Sequence, residues 1–338
     1  MPGAAFSDTV YALPVESVIF DEVDRGLTHA LQVDGRAPFG RIGEVLGVSD
    51  QTIARRYRRL RSAGMLRVVG AVDPWRLGYA SWAIRLRCAP DASGPIAAAL
   101  ARRPDTVWVH LLSGGTEIAC GTVARTPEER DTLLLQRLPR TARVTSFTAH
   151  SLLHLYAGGK VSWQGTTLSA DQVERLRPVP PAAQDDGGTV VLDDGDQALL
   201  TALSHDGRTP HAELAAVTGW SESTVRRRMD RLVSAGALFY DIDMPAECLG
   251  YRTEARLWMS VRPAELAAVG NALAGHPEVS FAAATTGPDN LMAAVTCRDD
   301  HALYRYLTER IGALDGVGNL ETAPVIRTVK RAGTVLKP

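Results

Sequence analysis

The chain has 338 residues, 45% apolar and 22% charged, with a net charge of −1. These totals suit a globular protein of two to four domains, not a disordered or fibrous one. A nucleic-acid binder of this near-neutral composition must carry its positive charge locally. No apolar run reaches membrane-spanning length, and the N-terminus lacks a basic region followed by an apolar core. No membrane association is therefore expected, and the location predicted is cytoplasmic. Four cysteines (Cys88, Cys120, Cys248, Cys297) stand without a C-x-x-C pair. That predicts buried thiols, no disulfide framework and no zinc site; no metal or other cofactor is called for.

Residues 1–20 show no clear periodicity and are read as an N-terminal arm. From Asp21 a helix is predicted, with Val23, Leu27, Ala30 and Leu31 on one face. Asp34-Gly35-Arg36 is a turn, and Pro38 suits the first position of a short second helix that turns Ile42, Val45 and Leu46 inward. Gly47-Val48 is the corner before a third helix, which Ser49 can cap and Gly64 can end. Ile53, Tyr57 and Leu60 make its buried stripe, and Arg55, Arg56, Arg58, Arg59 and Arg61 lie along the rest. The unit over 21–70 is a helix-turn-helix, with a strand leading out at 65–70. Its third helix offers hydroxyl and amide groups at its start and guanidinium groups along its length. Such a helix can read base edges with its polar end and hold phosphates with its arginines.

Over 78–156 the period changes. Strands are predicted at 81–88, 107–112, 117–123 and 144–155, with an alanine-rich helix at 94–103 and another opening at Thr126-Pro127-Glu128-Glu129. The order β-α-β-β-α-β is ferredoxin-like, with helices on one sheet face and nothing on the other. A sheet with a bare apolar face must find a partner. Residues 157–190 form a linker containing Gly158-Gly159, Pro178 and Pro180-Pro181, with a short helix predicted around 169–176.

The plan then repeats at a constant offset of 172 residues. Asp21, Asp24, Asp34-Gly35-Arg36, Pro38 and Gly47 return as Asp193, Asp196, Asp206-Gly207-Arg208, Pro210 and Gly219. The third helix returns after Ser221, with Ser223, Thr224, Arg226, Arg227, Arg228 and Arg231. Past one inserted residue the offset is 173, pairing Pro104 with Pro277 and Gly114 with Gly287. A register this long implies duplication and fusion of one self-contained unit. The second helix-turn-helix spans 191–242 and the second sheet domain 250–330. The expected fold class is α+β: two helix-turn-helix (winged-helix-like) domains and two βαββαβ ferredoxin-like domains in tandem.

These residues resemble the leucine-responsive/asparagine regulator (Lrp/AsnC) family of transcription factors. The carriers are the opening Asp-x-x-Asp, the Asp-Gly-Arg turn, the Ser-x-x-Thr…Arg-x-x-x-Leu-x-x-x-Gly helix and the Leu-Gly-Tyr that enters each sheet domain (Leu77-Gly78-Tyr79 and Leu249-Gly250-Tyr251). The resemblance covers nearly the whole chain, twice. It implies RAM-type sheet domains that sense an effector and pair face to face, so that the fused chain is a pseudo-dimer. It also implies double-stranded DNA as partner, a small-molecule effector such as an amino acid, and further assembly into a homo-oligomer. Ser49, Gln51, Thr52, Ser223 and Thr224 are expected at base edges. Arg55, Arg59, Arg227 and Arg231 are expected on phosphates or guanine; Ser221, Arg226 and Arg56 join the DNA-contacting set, although Arg56 and Arg228 sit toward the domain interior in the family pattern. The helices differ at Asp50/Glu222, Gln51/Ser223, Ala54/Arg226 and Arg58/Asp230, so the half-sites need not be identical.

The family's Gly-x-Tyr-Asp turn, near its amino-acid pocket, is Gly114-Gly115-Thr116-Glu117 here and Gly287-Pro288-Asp289-Asn290 in the second half. Gly114, Thr116, Glu117, Gly287, Asp289 and Asn290 are therefore the expected effector contacts, without the family's Tyr-Asp. Two rival readings stay open. One is an enzyme resembling the siroheme decarboxylases, which share this fused architecture and use histidines in the sheet domain. Here His110, His150, His154, His276 and His301 share no matched position between halves, and no catalytic constellation stands out, so an enzyme is not expected. The other is a sensor or interaction module with one decayed DNA-binding domain, the second being the weaker because of Asp230.

Overall fold

The computed structural model describes residues 20–158, 167–178, 188–331 and 334–335. The predicted arm before residue 20 and half of the predicted linker lie outside the described residues. The first unit is built from α1 (Glu22–Val33), α2 (Phe39–Leu46) and α3 (Asp50–Ser62). Asp21 caps α1 by accepting from the Asp24 amide at 2.9 Å, and Ser49 caps α3 by accepting from the Thr52 amide at 3.2 Å. Gly47, at φ 70°, supplies the left-handed residue that ends α2 and turns the chain into α3. Leu27, Leu31, Ile42, Ile53, Tyr57 and Leu60 close the core. Each fully buried aliphatic side chain here stabilises the fold by about 1.5–3 kcal/mol.

The chain leaves this unit along β1 (Arg67–Val72) and enters a sheet domain of β2 (Ala80–Cys88), α4 (Ser93–Ala101), β3 (Thr106–Leu112), β4 (Glu117–Ala124), α5 (Pro127–Asp131) and β5 (Val144–Ala157). The linker helix α6 (Ala170–Leu176) returns to the first unit. It opens with a Ser169/Gln172 capping box and buries Leu168 and Leu176 in the first unit's core. The second unit repeats the first as α7 (Asp194–His205), α8 (His211–Thr218), α9 (Glu222–Ser234) and β6 (Leu238–Asp243). The second sheet domain follows as β7 (Thr253–Val261), α10 (Leu266–Ala274), β8 (Val279–Thr285), β9 (Leu291–Cys297), α11 (Asp300–Arg305), β10 (Val317–Arg331) and β11 (Thr334–Val335).

The bare sheet faces cover one another. On β2, Ile84, Leu86 and Cys88 pack toward α4. The opposite face places Ala83 with Leu112, Ala119, Trp258, Met292 and Ala323, a cluster drawn from both halves. The two long strands stitch the edges together. β5 pairs with β2 as far as Ser151, then with β8 from Leu152; β10 pairs with β7 as far as Pro324, then with β3 from Val325. The order β10-β3-β4-β2-β5-β8-β9-β7 thereby closes on itself, which removes the free edges of both sheets.

The strand after each helix-turn-helix has a partner the sequence did not indicate. β1 and β6 pair antiparallel with each other, Arg67 opposite Asp243 through Val72 opposite Leu238, and so tie the two units by a ribbon. The two Asp-Gly-Arg turns interlock beside it. Arg36 donates to the carbonyls of Gly207 (2.6 Å) and Thr209 (3.1 Å), and Arg208 donates to those of Gly35 (2.7 Å) and Ala37 (3.0 Å). Glycine is needed at both turns because no room is left for a side chain: a Cβ at Gly35 would lie 2.6 Å from Tyr240 Cβ, and one at Gly207 would lie 2.9 Å from the Val69 carbonyl carbon.

Candidate nucleic-acid interface

Both third helices turn an apolar stripe inward and a cationic face outward. In α3 the buried residues are Ile53, Tyr57 and Leu60; in α9 they are Val225, Met229 and Leu232. Gln51, Arg55 and Arg58 are exposed on α3, and Ser223, Arg226, Arg227 and Asp230 at the matching places or beside them on α9. The capping hydroxyls are engaged locally. Ser49 Oγ lies 2.9 Å from Thr52 Oγ1, while Ser221 Oγ lies 2.9 Å from Ser223 Oγ and 3.0 Å from Thr224 Oγ1. Each hydroxyl keeps further hydrogen-bonding capacity.

The arginines fall into two groups that spacing alone does not separate. Arg56 is half-buried and donates through Nη1 to Asp21 (2.6 Å) and Asp24 (3.0 Å) at the start of α1. The expectation that it contacts DNA is therefore corrected: its guanidinium neutralises a buried carboxylate and ties α3 to α1. Asp24 is 1% exposed and needs that charge. The Asp21 carboxyl is held below its ordinary value by the Asp24 amide and then by Arg56, and Arg56 is pushed up by Asp21 and Asp24. Arg228 plays the same part in the second unit, bidentate to Asp196 at 3.0 and 2.8 Å, in contact with Asp193 and 5.3 Å from the Trp220 ring centre.

Arg59 is divided between the two groups: it is half exposed, yet Nη2 donates to Asp24 at 2.5 Å. Arg61 reaches across to Asp206 at 2.8 Å. Arg55, Arg226, Arg227 and Arg231 are exposed and have no partner among the described residues. The second helix thus keeps more free guanidinium groups than the first. The reading of α9 as the weaker helix, drawn from Asp230, does not match this distribution.

The expected effector residues sit on two hairpin turns, and each turn lies against the long strand of the other half. The Ser113 amide donates to the Pro324 carbonyl at 2.9 Å, and the Thr286 amide to the Ser151 carbonyl at 3.0 Å. Gly114, Thr116 and Gly287 are exposed. Asp289 accepts from the Thr285 hydroxyl through its backbone carbonyl at 2.7 Å. Two of the six are taken up internally, which corrects their expected role. Glu117 is buried and accepts from Arg85 Nε at 2.6 Å. Asn290 accepts from the Val261 amide at 2.8 Å and donates to the Val261 carbonyl at 2.9 Å, pinning the end of β7.

Between the sheets lie Arg85, Arg256 and Glu321, which the sequence did not single out, and His110, one of the histidines weighed for an enzyme. Arg85 also donates to Glu321 at 2.9 and 2.6 Å and stacks 3.8 Å from the Trp258 ring centre. Arg256 Nη2 meets His110 Nε2 at 2.5 Å, and His110 Nδ1 lies 3.1 Å from Thr328 Oγ1. Burial first, then the Arg256 charge, holds His110 well below its ordinary value, so it is a neutral acceptor. Alternation along β2 and β7 could have placed Arg85 and Arg256 on the inner faces, but which strands face them is a tertiary matter. Among the described residues no group of three or more histidine, cysteine, aspartate or glutamate side chains could hold a metal ion, and no helix is long and apolar enough to cross a membrane.

The AsnC-type helix-turn-helix domain family matches residues 20–61 and 192–233, and the Lrp/AsnC ligand binding domain family matches 254–335. An uncharacterized HTH-type transcriptional regulator of Pyrococcus horikoshii is 34% identical over 146 residues, which are 43% of this chain and 91% of the relative. The HTH-type transcriptional regulator LrpA of Pyrococcus abyssi is 30% identical over 141 residues, 41% of this chain and all of that protein. Each of these relatives corresponds to less than half of the present chain. Among solved structures, the siroheme decarboxylase NirDL aligns with 92% of this chain and 93% of its own at a TM-score of 0.60 and 15% identity, a likeness of fold.

Proposed function

Because this chain belongs to the Lrp/AsnC family of DNA-binding transcriptional regulators, we propose that it works as a one-chain pseudo-dimer, laying α3 and α9 into successive major grooves of one duplex. The observation that carries this reading is the free guanidinium set Arg55, Arg226, Arg227 and Arg231 on two capped helices whose separation the β1–β6 ribbon and the Arg36/Arg208 clamp fix. Ser49, Gln51, Thr52, Ser221, Ser223 and Thr224 stand at the helix starts, where base edges come within reach. If about six phosphates are neutralised, affinity falls with salt at a log–log slope of roughly −5. Electrophoretic mobility shifts across a salt series test this; salt-insensitive binding, or no binding to any genomic fragment, overturns it.

The sheet layer is the proposed effector module. The match of the ligand binding domain family to 254–335 supports the second half in particular. The exposed turn residues Gly114, Thr116 and Gly287, with the Asp289 carboxylate, are what the turns offer to a small polar molecule such as an amino acid. Isothermal titration with the common amino acids tests this, and silence toward all of them removes amino acids as the effector class. Further assembly of the chain into a homo-oligomer belongs to the same proposal, and light scattering measures it. Absorbance after mixing with siroheme separates this reading from that of a tetrapyrrole-acting enzyme.

A further inference from the structure

The two reading helices present unlike faces, and we infer that the chain grips its operator in one orientation only, on two different half-sites, with Arg226 setting the difference. This rests on the DNA-binding reading above. The outward stripe of α3 carries Gln51, half-buried Ala54, Arg55 and Arg58; the same stripe of α9 carries Ser223, Arg226, Arg227 and Asp230, all exposed. The sharpest change is at 54/226. There a methyl group stands against an exposed guanidinium with no partner among the described residues, little more than a turn from the N-cap. That is the part of a recognition helix that meets base edges. A guanidinium there forks onto guanine O6 and N7, whereas an alanine methyl favours the thymine methyl.

The surrounding charges reinforce the asymmetry. Asp196 gives both oxygens to Arg228 and leaves Arg231 free, while Asp24 gives one oxygen to Arg56 and the other to Arg59. Arg61 is drawn off to Asp206, and Asp230 stands where α3 has Arg58. Cationic weight therefore falls at different points along the two helices. The interlocked Asp-Gly-Arg turns prevent either helix from moving alone to repair a mismatch. Fusion guarantees one helix of each kind per duplex. Reversing the operator then exchanges two unlike surfaces, which a symmetric homodimer would not notice.

The test is selection of binding sites from a random duplex library with the full chain. The expected motif lacks twofold symmetry and has guanine in one half where the other half has thymine. Operators symmetrised to two copies of either half-site should bind about tenfold to a hundredfold more weakly. Arg226→Ala should erase the guanine preference in one half and leave the other half intact. Arg226→Lys, which keeps donors for guanine O6 and N7 but not the planar fork, should weaken that preference less than alanine does, and Ala54→Arg combined with Arg226→Ala should move the preference to the opposite half. A palindromic wild-type motif, or Arg226→Ala weakening both halves alike, overturns the inference while leaving the regulator reading standing. Retention of no duplex of any sequence overturns both.

Discussion

The two DNA-binding units have the same helices, caps and turns, yet they distribute their charges differently. In the first, buried Asp24 is shared between Arg56 and Arg59; in the second, buried Asp196 is taken whole by Arg228, which also lies near Trp220. Trp220 stands where the first unit has Val48. The number of arginines on a helix thus says less about its surface than the appetite of the acids behind it. The units also differ in what covers them. α6 packs on the first alone, through Leu168 amide to His29 Nδ1 (3.0 Å), Gln172 Nε2 to the Val45 carbonyl (2.9 Å) and Arg41 Nε to the Arg175 carbonyl (2.9 Å). At the matching places the second unit has Thr201, Val217 and Glu213. Val45 is 6% exposed and Val217 57%.

The comparison can be broken most forcefully at the buried acid. Asp196→Ala should cost about 3 kcal/mol in denaturant unfolding, because Arg228 keeps only the exposed Asp193 and the Trp220 ring; a loss below about 1 kcal/mol would mean that Asp196 does not hold the second unit together. Next comes the clamp. Arg208→Ala removes two carbonyl contacts and a stacking contact 4.4 Å from the Phe39 ring centre, and should cost about 3 kcal/mol. Arg36→Ala, whose guanidinium lies farther from its ring, 5.7 Å from the Tyr240 centre, should cost about 2 kcal/mol, and equal effects would show that the closer Phe39 stack adds nothing.

The cover helix predicts a smaller contrast. Val45→Ser should cost about 2 kcal/mol and Val217→Ser less than about 0.5 kcal/mol, measured on the same unfolding curves. The smallest effect concerns pH. Burial lowers the His29 pKa below its usual 6.5, and its Nδ1 accepts a hydrogen bond only when neutral. The folded value lies below the unfolded one, so this stabilisation is complete above about 6.5 and is lost as pH falls through the lowered value. Amide exchange in α6, corrected for intrinsic rates, should quicken below pH 6.5, and His29→Gln should flatten that dependence.

Much of this was legible in the residues. Asp21, Ser49, Asp193 and Ser221 cap the helices as their types and positions imply, and the repeated Gly47 and Gly219 turn the chain before each reading helix. The short linker helix was visible in Ser169 and the residues after it. The roles of individual charges were not legible. Arg56 and Arg55 are neighbours of one type, and only the direction each takes from the helix axis separates a brace for Asp24 from a free guanidinium. Glu117 and Asn290 looked like ligand contacts because they follow a glycine turn; an arginine on the next strand claims one, and the end of β7 claims the other.

Local chemistry along the chain was enough to set the helices, their caps, the strand order within each half and the duplication, since these depend on contacts between near neighbours. Folding in three dimensions settled what depends on distant segments meeting: the ribbon between the units, the interlocked Asp-Gly-Arg turns, the closed ring of strands and the choice of which arginines remain free. A buried carboxylate must be neutralised by whichever cation the packing brings to it, and a sequence does not state which cation that will be.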